Sequence, residues 1–103
     1  MNPNDHNYRV IFHPECLNKL EEFGTLEELD PALSEVISAL SKNPHAFKAS
    51  PQYPMWRVAI TRRHRVGRRL IPSLRLYVVI NEEEKRVLIV DVMINPDDPT
   101  IRM

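Results

Sequence analysis

A chain of 103 residues with no net formal charge has room for one domain and one hydrophobic core. Its 43% hydrophobic and 27% charged residues give a globular composition and exclude a disordered polyelectrolyte, and a lone cysteine, Cys16, excludes an internal disulfide or a cysteine-based zinc cluster within one chain. No apolar run approaches the roughly 20 residues of a membrane-spanning helix, and residues 1–7 are too polar for a signal peptide, so the cytoplasm is the expected location, with no membrane partner.

The first expected element is a strand over 8–12, where Tyr8, Val10 and Phe12 share one side. His13-Pro14 stops it and opens a helix over 14–23, in which Cys16, Leu17, Leu20 and Phe23 recur at helical spacing before Gly24 ends it. Thr25 and Glu28 form a capping-box pattern, and Asp30-Pro31 offers a second helix start. Leu33, Val36, Ile37 and Leu40 then mark a helix that Asn43-Pro44 terminates.

A proline-rich loop over 45–54 follows. Alternation over 55–61 predicts a strand with Trp56, Val58 and Ile60 on the core side and Arg57 on the other. The segment 62–69 is too charged for burial, and Gly67 permits a turn or bulge. Residues 74–80 read as a strand with Leu74, Leu76, Val78 and Ile80 inward, leaving Arg75, Tyr77 and Val79 outward. A hairpin loop over 81–85 returns the chain as a central strand over 86–94. Residues 1–7 and 96–103 are expected to be flexible tails of this single domain, 1–103. The fold class is α+β, ordered β-α-α-β-β-β, with a small antiparallel sheet and two helices on one face.

The zero net charge hides a partition. Residues 1–40 carry eight acids and two bases, residues 41–81 carry nine bases and no acid, and residues 82–103 carry six acids and three bases. Seven of the nine central bases are arginines, whose planar fork suits bidentate phosphate contact. If strand alternation places Arg57, Arg75 and Tyr77 together on the face away from the helices, the run TRRHRVGRR at 61–69 lies at their edge. A polyanion-binding surface results, formed with Lys48, Arg62, Arg63, Arg68 and Arg69. The competing reading pairs these arginines with the acidic helices or leaves them solvated.

This order of elements resembles the RelE/ParE superfamily of toxins from bacterial type II toxin–antitoxin modules. The resemblance is carried by YRVIFHPECLNKLEEF at 8–23, LSKNP at 40–44, WRV at 56–58, RVG at 65–67 and IPSLRLYVVINEEEKRVLIVDV at 71–92. It implies a toxin silenced by a cognate antitoxin. It also implies one of two mechanisms: RelE-like, ribosome-dependent cleavage of mRNA, or ParE-like inhibition of DNA gyrase without catalysis. A member that has lost toxicity is a further form of the second. In the nuclease case Arg57, Arg65 and Arg75 correspond to the basic sheet residues that hold the scissile phosphate, and Tyr77 and His64 are proton-transfer candidates. The sequence departs from the nuclease members after its last strand. They usually carry an arginine with a histidine or tyrosine there, whereas 93–103 (MINPDDPTIRM) has neither histidine nor tyrosine and only Arg102.

No cofactor is expected, and four scattered histidines without ligand spacing give no metal site. Trp56 is expected in the core, although a half-exposed indole there could stack on RNA. Cys16 is expected to be a small buried hydrophobe.

Overall fold

A computed structural model describes residues 7–97. The expected tails over 1–7 and 96–103, with Arg102, lie outside the described residues except for Asn7, Pro96 and Asp97.

Strand β1 (Arg9–Phe12) runs into helix α1 (Pro14–Leu20) through His13, whose Nδ1 accepts the Glu15 N–H at 3.2 Å. Helix α2 (Leu26–Lys42) starts at a complete capping box: the Thr25 hydroxyl accepts the Glu28 N–H at 3.2 Å and the Glu28 carboxylate accepts the Thr25 N–H at 2.9 Å. The helix passes through Pro31, so the second start at Asp30 is not used. With the end already capped at Thr25, Pro31 forgoes one backbone bond early in the helix, which the buried stripe Leu29, Ala32, Leu33, Val36 and Leu40 outweighs.

After a 3-10 turn over Pro44–Ala46, the chain forms β2 (Lys48–Ala49), β3 (Arg57–Ile60), β4 (His64–Val66), β5 (Arg69–Ile71), β6 (Leu74–Asn81) and β7 (Arg86–Ile94). Five strands make one sheet in the order β1-β7-β6-β3-β2. Strand β1 lies parallel to β7 while the other pairs are antiparallel, so the sheet is mixed rather than wholly antiparallel. Two helices separate β1 from the rest of the sheet, and the β6–β7 hairpin brings the last strand back along it.

The charged run is more ordered than a turn. β4 and β5 pair as a separate two-stranded hairpin, with Gly67 at φ +60° supplying the left-handed conformation its turn needs. Ile71 anchors that hairpin at 1% exposure, beside Gly24.

The core lies between helices and sheet. Leu74, Leu76 and Val78 of β6 and Val87, Ile89 and Val92 of β7 are buried with Cys16, Leu20 and the α2 stripe. Burial pushes the Cys16 thiol up to about 11, consistent with an inert packing group. Along β6–β7 the pairing shifts: Tyr77 faces Asp91 and Val78 faces Ile89, leaving Val90 as an extra residue. This bulge separates the two halves of the hairpin beside Tyr77.

Candidate functional site

The register of β3 decides which residues share a surface. Ala59, fully buried, pairs with Leu76, and Arg57 pairs with Val78, so both belong to the helix side of the sheet. Val58 pairs with Tyr77 and Ile60 with Arg75, which places them on the open side. The expected facing of this strand is therefore reversed. The small Ala59 fits beneath the helices, whereas Ile60 is 49% exposed.

Arg57 is consequently not a partner of Arg75 and Tyr77. Its Nη1 donates to the carbonyls of His45 at 3.2 Å and Phe47 at 2.7 Å, clamping the turn that follows α2. Those carbonyls belong to a short irregular segment and need a donor, which the guanidinium supplies.

Two of the five arginines over 62–69 are engaged with α2. The Arg62 Nε donates to both oxygens of Glu35 at 2.9 and 3.0 Å. Arg69 donates to both oxygens of Glu28 at 2.8 and 2.9 Å. The basic hairpin is thereby strapped to acidic α2, the pairing that the partition of charge along the chain allowed. Backbone capping at Thr25 and then Arg69 hold the Glu28 carboxyl below its ordinary range.

His64 lies in the same hairpin, its Nε2 2.7 Å from the Glu28 carbonyl oxygen. A carbonyl only accepts, so that nitrogen carries the hydrogen. The Nδ1 is buried without a partner among the described residues, so the ring ties the hairpin to α2 rather than facing a substrate. Arg63, Arg65 and Arg68 are exposed on or next to the hairpin, and none of them lines the concavity described next.

What remains together is a concavity of about 380 Å³ lined by Lys48, Ser50, Gln52, Ile60, Arg75 and Tyr77, among others. Arg75 is its centre. The side chain is 23% exposed, its Nε is buried with no partner among the described residues, and its Nη2 lies 3.4 Å from the Asp97 carboxylate. A guanidinium with an unspent inner donor and a weakly held outer one is ready for a stronger acceptor. Lys48 adds an exposed charge on the rim, with no partner among the described residues. The Tyr77 hydroxyl reaches only the Met93 sulfur, at 3.6 Å.

Two further rings continue from Tyr77: Trp56, 5.7 Å from it and bordering α1 at Cys16 and Lys19, and Tyr53, 4.6 Å from Trp56. Trp56 is half-buried and not a core residue. Sequence reasoning passed over Tyr53; its signal was a pair of aromatic residues three apart, framed by Pro51 and Pro54.

Among the described residues no group of three or more histidine, cysteine, aspartate or glutamate side chains is placed to hold a metal ion, and no helix is long and apolar enough to cross a membrane.

No protein-family model and no curated protein sequence matches the chain. Among solved structures, a chain of the RelBE2 toxin–antitoxin complex from Mycobacterium tuberculosis is similar, with a TM-score of 0.63 and 22% identity over 88% of this chain and 94% of that one. The two share a fold. The small α+β architecture that the RelE/ParE resemblance implied is the architecture found, with RelBE2 as its solved counterpart.

Proposed function

We propose that the chain is the toxin component of a type II toxin–antitoxin module, held silent by a cognate antitoxin and inhibiting translation by RelE-like, ribosome-dependent cleavage of mRNA. The observation that carries this reading is the concavity around Arg75, whose inner Nε has no partner among the described residues, on the open face of a sheet with the RelBE2 fold; it supports a role as an anion receptor. In such a cleavage the ribose 2′-oxygen attacks the adjacent phosphorus as the bond to the 5′-oxygen breaks. The 2′-hydroxyl gives up a proton and the leaving oxygen gains one. Arg75, with Lys48, would stabilise the charge gathering on the phosphate, and the Tyr77 phenol would protonate the leaving oxygen. Arg65, with Arg63 and Arg68, would contribute a more distant field to RNA and the ribosome, whereas the charges of Arg62 and Arg69 are offset by Glu35 and Glu28. Arg57 would support this surface only indirectly.

A second reading is favoured by Asp97 on Arg75 and by the lack of a histidine or carboxylate among the described residues that line the concavity. In it the chain acts without catalysis, as a ParE-like gyrase inhibitor or a non-toxic relative. Purified protein, ribosomes and message distinguish the two. The first reading expects cuts at the ribosomal A site that Arg75→Ala abolishes, with growth arrest when the chain is expressed alone. Absence of cuts together with loss of gyrase supercoiling would favour the gyrase inhibitor, and absence of both effects the non-toxic relative. A small acidic protein encoded next to this chain and co-purifying with it is the expected antitoxin.

A further inference from the structure

We infer that Tyr53 and Trp56 form a stacking step for an unpaired nucleic-acid base, set beside the Arg75 concavity; this rests on reading that concavity as a receptor for an RNA backbone. Three rings run in sequence from the loop to the sheet. Tyr53 and Trp56 lie 4.6 Å apart at 33°, and Trp56 lies 5.7 Å from Tyr77, which lines the concavity. Tyr53 is 53% exposed, so part of its ring is open to solvent.

The loop that carries the rings is fixed before any ligand arrives. The Ser50 N–H donates to the Trp56 carbonyl at 2.7 Å, the Trp56 N–H to the Tyr53 carbonyl at 2.8 Å, and the Tyr53 N–H to the Ser50 hydroxyl at 3.3 Å. Pro51 and Pro54 restrict the backbone between these bonds. A ring pair held this way loses little further freedom when a base docks, so stacking is not offset by ordering.

Charge complementarity selects the occupant. Lys48 and Arg75 line the concavity together with Tyr77, the third ring of the series, an arrangement suited to a phosphate chain whose bases turn sideways onto aromatic faces. A duplex hides its base faces, so only a single strand can use both features.

The chain's one tryptophan is Trp56, so its fluorescence reports this step directly. The probes are a single-stranded RNA of about ten nucleotides, the same length as a duplex, and an abasic ribose-phosphate oligomer of equal charge. The single strand should quench Trp56, whereas the abasic oligomer should bind without quenching. Tyr53→Ala should weaken single-strand binding about fivefold or more without changing its salt dependence or the abasic affinity. Tyr53→Phe, which keeps the ring, should restore single-strand binding. Equal quenching by single strand and abasic oligomer, or indifference to Tyr53→Ala, would overturn the stacking step while leaving the phosphate receptor standing. An abasic oligomer that fails to bind, with a salt dependence that Arg75→Ala leaves unchanged, would remove the receptor and the step together. Loss of the co-purifying antitoxin in Tyr53→Ala, with RNA binding intact, would assign the rings to a protein interface and overturn the proposal.

Discussion

Arg75 differs from the neighbouring arginines in what it touches. Arg62 and Arg69 each grip a glutamate through two short bonds, and Arg57 is spent on carbonyls, whereas Arg75 meets one largely exposed carboxylate at 3.4 Å. Asp97 therefore competes with any incoming anion. Asp97→Asn is expected to tighten binding of the abasic oligomer several-fold at low salt and less at high salt, a comparison that titration at two ionic strengths makes. A second residue-scale expectation concerns Glu82. It accepts hydrogen bonds from His45 and Tyr8 and an ion pair from Lys85 at 3.3 Å, which together hold its carboxyl at about 2. A depressed folded-state value means the stabilisation is complete above the unfolded value of about 4.3 and disappears as pH falls toward 2. Glu82→Gln should thus flatten the dependence of the urea midpoint on pH across that window and leave its slope above pH 6 unchanged.

At the scale of the element, β3 gives the sharpest test of the fold. Ala59 is fully buried against Leu76 while its neighbour Ile60 is half exposed. Ala59→Leu should overpack the helix side and cost about 1–3 kcal/mol, whereas Ile60→Ser should stay within about 0.5 kcal/mol, both read from urea unfolding. The opposite ranking would restore the facing that the sequence suggests. That facing misleads because Trp56, Val58 and Ile60 supply the apolar alternation, and only pairing across to β6 shows that Ala59 occupies the crowded side. Other elements were readable because their signals are local: the Thr25–Glu28 box, the periodic stripe of α2, and the β6–β7 hairpin around its charged loop. The β4–β5 hairpin was hidden by its charge, since Arg62 and Arg69 become compatible with order only once Glu35 and Glu28 approach from α2. The candidate site was legible in Arg75 and Tyr77, one strand with a two-residue period, and not in Arg57 or His64, whose partners come from distant segments.

For the molecule as a whole, charge is used mostly inward. The acid-rich first part and the arginine-rich middle meet across the α2–hairpin contact, so a formally neutral chain keeps only a few cations for outside partners. This predicts a modest salt dependence of RNA affinity, corresponding to a few phosphates rather than nine, measurable as the slope of log affinity against log salt. The parallel pairing of β1 with β7 has a different consequence. The first strand has no neighbour in the sheet until the β6–β7 hairpin has folded back to it, so the sheet closes through its most distant pairing, a contact order that slows folding.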